Sequence, residues 1–495
     1  MAWELMKTEE ALASLSSAPD LVPSLDNFSA LLIDCRKAKN LAFANRAYAV
    51  TCNCGVESRD LIRNLIVPMF VDCGGLDFAH QIFRRYPVWN EHTWTSLIGG
   101  VNDQGNPNAA FLLYNQMEKV SIYPSRYTFV SLLKACAKMK CLERGQSLHA
   151  SIAMEGFEQD SFLVSALVDM YGKCGCEVEA QDVFDSLPEP DVVCWTALIT
   201  GYAQRGFREK ASKALEQMQL AGISPDVILW NAVLLAYAEH GEYDLAFKQY
   251  TQMQEQGLLP NPVTYLNVLK ACTNRAAIKV GMKLHAQIHR IASCNEGPLG
   301  TALIDMYGKC GNMADAEHIF DKWHMKSVIT WNALITGYAH QGQFELLFDS
   351  FDKMGKQGVR PDVITLLVVL NVCCHGGFLE KARRYFRNMY SEYGIVPNIK
   401  HYNCMMDLLG RLGLLNEAVA MMEEMPYPPN YVTWSNLLAA CQKWGDVELC
   451  RKAFEHAVKL KVEDARVFIL MSNVYADVQK WHQGTETLEI HENER

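Results

Sequence analysis

Long apolar runs are scarce in this chain of 495 residues: Leu366–Leu370 (LLVVL) is typical, far short of the ~18–20 residues that cross a bilayer. No membrane partner is expected. Cysteine spacing of a metal or disulfide framework is also missing. The 17 cysteines include no C-x-x-C, and the closest pairs are Cys52/Cys54, Cys174/Cys176 and Cys373/Cys374, none with zinc-ribbon spacing. Most sit in apolar helical patterns such as Leu132–Lys138 (LLKACAK), as buried thiols of a reducing compartment do. An excess of positive charge is lacking too. Lys and Arg total 46 against 56 Asp and Glu, for a net −10. That argues against bulk electrostatic adhesion to nucleic acid and leaves base contacts in a locally basic groove. Candidates for phosphate contact are Lys134, Lys173, Lys270 and Lys309, each read first as a solvated helix-end lysine.

Catalytic signatures are absent as well. There is no G-x-x-x-x-G-K-[ST], no Gly-rich dinucleotide loop and no G-x-S-x-G. His240-Gly241-Glu242 matches the H-x-E of zinc deaminases, but no P-C-x-x-C follows; it reads as an exposed helix-end histidine. His285 and His289 stand at i, i+4 without a third ligand and read as part of an amphipathic helix. The sequence therefore points to no catalytic residue, metal, cofactor or small-molecule substrate. The first 24 residues hold one Lys and four acids, unlike a secretory signal or an Arg-rich transit peptide, and are expected to be poorly ordered.

What is present is repetition. ALITGYA occurs at Ala197–Ala203 and Ala333–Ala339, DMYGKCG at Asp169–Gly175 and Asp305–Gly311, and LLKAC at Leu132–Cys136 returns as VLKAC at Val268–Cys272. All three pairs are 136 residues apart, and Trp195 to Trp230 is 35 residues. The unit is about 35 residues, with one shorter member per cycle. Within Val192–Asp226, Trp195, Leu198, Ile199 and Tyr202 form one helical stripe, and Ala211, Ala214, Leu215 and Met218 a second. Gly206 separates them, and Gly222 with Pro225 ends the pair. A chain of this length exceeds one core of ~250–300 residues, whereas stacked hairpins bury their stripes against neighbours. The expected fold is an all-α solenoid of stacked helical hairpins.

Val328–Asp362 (VITWNALITGYAHQGQFELLFDSFDKMGKQGVRPD) resembles a pentatricopeptide repeat: the V-x-[TY]-[WY]-N-x-L-I opening, a central Gly, M-x-x-x-G and a closing Pro-Asp. The alternation of unit lengths resembles the plant P-L-S subclass. The resemblance implies a right-handed α-solenoid superhelix of about a dozen helix-turn-helix repeats, each of 31–36 residues. By that resemblance the units run 25–59, 60–90, 91–125, 126–160, 161–191, 192–226, 227–261, 262–296, 297–327, 328–362, 363–398 and 399–430. Residues 431–482 resemble E motifs, of which the second is represented only by its opening; no deaminase domain of the DYW type is present in this sequence, and 483–495 form a tail.

The resemblance implies that each repeat reads one base of single-stranded RNA through its fifth and last residues. A terminal Asp only accepts hydrogen bonds and favours guanine and uracil, whose Watson–Crick edges carry an imino N–H; a terminal Asn can donate and suits adenine and cytosine. In the family, Thr or Ser at the fifth position goes with purines and Asn with pyrimidines. Thr196 with Asp226 then reads guanine, Asn332 with Asp362 uracil, and Asn231 with Asn261 a pyrimidine, cytosine first. Ser165 with Asp191 leans to guanine; Asn403 with Asn430 and Asn64 with Asn90 lean to pyrimidines. Thr95 with Ser125 and Thr301 with Ser327 suggest purines without a matching last residue. Val130/Asp160, Leu266/Glu296 and Leu367/Asn398 have an apolar fifth residue and read weakly or not at all. Taken singly, each pair is also ordinary turn and N-cap chemistry; the recurrence in register carries the functional reading. The tryptophans at the fourth position are expected to pack helices rather than stack on bases.

The resemblance further implies an organellar protein, mitochondrial or chloroplast, that selects sites for C-to-U RNA editing while a DYW-type deaminase acts in trans. The alternatives are a role in RNA stability, splicing or translation, and a peptide-binding scaffold of the tetratricopeptide kind.

Overall fold

The computed structural model describes residues 24–290, 297–322, 326–460 and 465–477. The expected N-terminal segment up to residue 23, the C-terminal tail and Glu296 lie outside them. Among the described residues all regular structure is helical and there is no strand.

The hairpin at Val192 shows how the sequence builds the unit. Asp226 and Asp191 are extended residues that stop one helix and cap the next: Asp191 Oδ1 accepts from Cys194 N–H at 2.9 Å and Asp226 Oδ1 from Leu229 N–H at 2.8 Å. The first helix, Val192–Gln204, ends where Gly206 adopts φ +78°, and the second, Arg208–Leu220, ends before Gly222 at φ +76°. Both turns need a left-handed residue, which costs glycine nothing sterically. Trp195, Leu198, Ile199 and Tyr202 are buried on the first helix, and Ala211, Ala214, Leu215 and Met218 on the second, as the two stripes require. Each fully buried Leu or Met side chain contributes ~1.5–3 kcal/mol of apolar burial, so a hairpin gains its stability from its neighbours rather than from itself.

The chain divides into two compact units, 1–259 and 260–495. In the first, the leading helices of successive repeats (Leu25–Ala38, Asp60–Asp72, Glu91–Asp103, Arg126–Met139, Ser161–Cys174, Val192–Gln204 and Val227–Glu239) pack each against the next, and each second helix packs on its own leading helix. In the second, Pro262–Arg275, Pro298–Lys309, Val328–His340, Val363–Gly376, Ile399–Arg411 and Tyr431–Trp444 do the same, and Ala465–Asp477 closes on the last hairpin. The fourth-position tryptophans are core residues: Trp94, Trp195, Trp230 and Trp331 are all buried. Three meet a phenylalanine edge to face at 4.6 Å, in the pairs Phe83–Trp94, Phe184–Trp195 and Phe320–Trp331.

Two pairs of leading helices approach closely where glycines meet. A Cβ on Gly308 would lie 2.8 Å from Gly337 Cα, and one on Gly172 would lie 3.3 Å from Gly201 Cα. The DMYGKCG and ALITGYA repeats thus supply a glycine each to the same contact. Thiols behave as core atoms. Burial pushes Cys136, Cys272, Cys373 and Cys441 up to about 12, which keeps them protonated and unreactive.

Candidate nucleic-acid interface

The last residue of each repeat is the N-cap of the next leading helix: Asn90, Ser125, Asp191, Asp226, Asn261, Ser327, Asp362 and Asn430 all hold that position. The fifth residue sits one turn into its own leading helix, against the start of the following one. Within either compact unit the register brings some of the fifth and last residues into one hydrogen-bond network where two leading helices stack, and leaves others apart.

At Asn332 and Asp362 this produces a connected network. Asn332 Nδ2 donates to Asp362 Oδ1 at 3.0 Å, and Thr365 Oγ1 donates to Asn332 Oδ1 at 2.6 Å. Asp362 Oδ1 also takes Thr365 N–H at 2.8 Å, and Asp362 N–H donates to Thr365 Oγ1 at 3.1 Å. These contacts gather on Oδ1, and the Ile364 amide adds to the hydrogen bonds that the carboxylate receives. Burial alone pushes the Asp362 carboxyl upward, but the hydrogen bonds from Thr365 and Asn332 outweigh it and hold the group below the usual carboxylate range. The network thus displays an amide donor beside an ionised acceptor.

Asn403 and Asn430 form the neutral version. Thr433 Oγ1 lies 2.8 Å from Asn403 Oδ1 and 2.9 Å from Asn430 Oδ1, and Thr433 N–H caps on Asn430 Oδ1 at 2.9 Å. Both amide oxygens are thus engaged by Thr433, and the two NH2 groups are donors only. Asn64 differs. Its Oδ1 accepts from Asn90 N–H at 3.1 Å, but its Nδ2 turns back to Asp60 O at 2.9 Å. Thr301 reaches Thr330 Oγ1 at 3.4 Å, which in turn bonds Ser327 Oγ at 3.0 Å.

Thr196 and Ser165 donate to their own helices instead, Thr196 Oγ1 to Val192 O at 2.6 Å and Ser165 Oγ to Phe162 O at 2.9 Å. Asp191 is held low by the balance seen at Asp362: burial raises it, and Ser161 and the Cys194 amide lower it further. Asn231 and Asn261 belong to different compact units and are described only as a leading-helix residue and a cap.

A groove of about 760 Å3 gathers two of the second unit's pairs. Thr301, Ser327, Asn332 and Asp362 lie in its lining, together with Asp305, Lys309 and the apolar Ile329 and Ile364. Lys309 is paired with Asp305 at 2.9 Å, as Lys173 is with Asp169 at 2.8 Å; Lys134 and Lys270 are exposed.

Two contributors were not singled out from the sequence. One is the third residue of the next leading helix: Thr93, Thr128, Thr330, Thr365 and Thr433 are all buried and bond to the preceding repeat's fifth residue. The recurring Thr before the aromatic or leucine at position four was the available signal. The other is the second residue, which is apolar and exposed in repeat after repeat: Leu61, Val193, Ile228, Val263, Ile329 and Ile364 are 51–70% accessible. The same apolar exposure thus recurs at one register of the repeat.

The motifs set aside as unrelated to chemistry have structural partners. His240 Nε2 meets Gln204 O at 2.8 Å, and His285 Nδ1 meets Tyr307 OH at 3.0 Å, repeating His149 with Tyr171 at 2.9 Å. Among the described residues no three His, Cys, Asp or Glu side chains are grouped to hold a metal.

Stacked helical hairpins that present polar pairs at a fixed register define a helical-repeat solenoid protein. Residues 90–138, 225–274 and 326–375 match the PPR repeat family, 181–237 the pentatricopeptide repeat domain, and 162–189, 301–328, 364–392, 400–427 and 432–462 the PPR repeat. The chain belongs to the pentatricopeptide repeat family. It is 29% identical over 481 residues to the chloroplastic pentatricopeptide repeat-containing protein CRR2 of Arabidopsis thaliana, covering 96% of this chain and 68% of that one. A mitochondrial pentatricopeptide repeat-containing protein of the same plant is 34% identical over 423 residues, 86% of this chain and 61% of the relative. The chain thus spans about two thirds of these relatives' length. The crystal structure of pentatricopeptide repeat protein PPR10 in complex with an 18-nt psaJ RNA element shares the fold, with a TM-score of 0.51 at 17% identity over 97% of this chain and 77% of that one.

Proposed function

We propose that this protein is a sequence-specific binder of single-stranded RNA in an organelle, reading one base per repeat through the fifth and last residues. The observation that carries this reading is the groove between Pro298 and Ile364: polar pairs line it and exposed Ile329 and Ile364 stand beside them. A planar base needs apolar contact for its faces and directed hydrogen bonds for its edge, and the groove supplies both. Asn332 with Asp362 offers a donor and an acceptor, matching a carbonyl oxygen and N3–H of uracil. Asn403 with Asn430 offers donors only, matching O2 and N3 of cytosine. Thr196 with Asp226 fits guanine, and Ser165 with Asp191 leans the same way. Thr95 with Ser125 and Thr301 with Ser327 keep a purine preference, Asn64 with Asn90 and Asn231 with Asn261 a pyrimidine preference.

The relatives named chloroplastic and mitochondrial, and the likeness to a structure solved with RNA, support the organellar RNA assignment. The P-L-S alternation and the E-like sequence at 431–482 favour an adaptor that selects C-to-U editing sites, with catalysis by a deaminase in trans. The test is binding of the purified chain to oligonucleotides built from this code, single-stranded against duplex. Asp226→Asn is expected to move preference away from guanine at one position. Equal affinity for every single strand, before and after the substitution, would refute the reading.

A further inference from the structure

The repeat at 91–125 departs from a sister repeat at one position that matters. Its fifth and last residues and the third residue of the next helix are Thr95, Ser125 and Thr128; the repeat at 297–327 has Thr301, Ser327 and Thr330 at the same places. The first residue differs: Glu91 against Gly297. Glu91 Oε1 accepts from Thr95 Oγ1 at 2.7 Å and from Ser125 Oγ at 2.5 Å. A carboxylate only accepts, so the Thr95 and Ser125 protons point at Glu91. Thr128 Oγ1, which takes Ser125 N–H at 3.2 Å, is left to donate to Thr95 Oγ1 at 2.6 Å, and it lies 3.4 Å from Glu91 Oε1. The Glu91 side chain is half-buried, and among the described residues its bonds all fall on Oε1.

The repeat whose last residue, Ser125, lacks a carboxylate therefore receives one from its own first residue, tied to both members of the reading pair. We propose that Glu91 is a base-reading residue and that this repeat selects guanine over adenine. The inference rests on the base-reading function proposed above. Guanine presents N1–H and an exocyclic NH2 on its Watson–Crick edge, both donors to Oε2. Adenine presents a single donor there, its exocyclic NH2, beside a bare N1 that a carboxylate repels. The sister repeat, with glycine in place of Glu91, has no such preference between the two purines.

The test is selection of RNAs from a random pool by the full chain in three forms: unaltered, Glu91→Gln and Asp226→Asn, each checked for unchanged thermal unfolding. The repeat at 91–125 precedes the one at 192–226 by three repeats. The enriched motif is expected to hold a guanine three nucleotides from the position that Asp226→Asn alters. Glu91→Gln is expected to reduce guanine-over-adenine preference there about fivefold or more and to leave the other positions unchanged. An Asp226→Asn effect with no Glu91→Gln effect would overturn the proposal and leave the general reading standing. Uniformly tighter binding by Glu91→Gln to all sequences would also overturn it, since Glu91 would then only repel phosphate. If neither substitution alters the motif, base reading itself fails and this proposal with it.

Discussion

Replacing Asp362 by asparagine separates the two tasks of one side chain. As the cap of Val363–Gly376, Asp362 uses Oδ1 to take Thr365 N–H and Asn332 Nδ2. Asparagine keeps that oxygen, and Asn and Asp cap helices about equally well. Only the charge assistance to these bonds is lost, so Asp362→Asn is expected to destabilise by less than about 1 kcal/mol. The ligand-facing atom changes sign: Oδ2, an acceptor, becomes an NH2 donor. A base edge that matched by one hydrogen bond now mismatches, a swing of about 1–3 kcal/mol, or roughly five- to 150-fold. The expected outcome is a change from uracil to cytosine at one position with little loss of total affinity for the matched strand. Asp362→Ala is the contrasting case. It removes the cap and leaves Asn332 Nδ2 without its partner, costing about 0.5–2 kcal/mol for the cap alone, and weakens binding to every base at that position. Thermal unfolding and competition among four oligonucleotides differing at one base measure both effects. Asp362→Asn that weakens all four oligonucleotides alike, or that unfolds the protein as Asp362→Ala does, would refute the division between Oδ1 and Oδ2.

Thr365→Val keeps the shape of a fully buried side chain but removes the hydroxyl that meets Asn332 Oδ1 and Asp362 N–H; it is expected to destabilise by about 1–3 kcal/mol, with Thr365→Ser recovering most of the loss in a urea melt. Gly308→Ala drives a methyl against Gly337 Cα and is expected to cost about 1–3 kcal/mol. Gly355→Ala, on an open helix surface with nothing within 4 Å, is expected to be neutral or stabilising by ~0.5–1 kcal/mol; the reverse order of the two melting temperatures would contradict the close helix approach. Acid is expected to lower stability early. Burial holds His149, His285 and His401 below their usual value of 6.5, so near that pH the unfolded chain binds protons that the folded chain refuses. Their contribution is full above pH 6.5 and is lost as pH falls through 6.5 toward the folded values; a melting temperature that rises between pH 7.5 and 5.5 would contradict it.

The hairpin plan was legible because its signals are local. Gly206 and Gly222 occupy left-handed turns, Trp195 and Leu198 sit on a buried stripe, and the shared spacing of ALITGYA and DMYGKCG set the register. The pairing of Asn332 with Asp362 followed from the resemblance to pentatricopeptide repeats, which set the fifth residue of a repeat with its last. The orientation of those groups did not, because it depends on packing between repeats. Nothing in the order of residues says that Asn64 turns its NH2 to Asp60 while Asn332 turns it to Asp362, or that Thr196 bonds its own helix. The third-position threonines were visible as part of a motif, yet their hydroxyls acquire a role only when the next helix stacks above the fifth residue. Glu91 looks like an ordinary first-turn acid until Thr95 and Ser125 converge on it.

One measurement bears on the central claim most directly: the motif enriched from a random RNA pool by the unaltered chain. The repeats at 192–226 and 328–362 are separated by three others, so one base per repeat places the guanine read by Thr196 and Asp226 four nucleotides from the uracil read by Asn332 and Asp362. Enrichment of a guanine and a uracil at that fixed spacing is the expected result. A pool that returns no preferred spacing, or no retained single strand, would contradict the account.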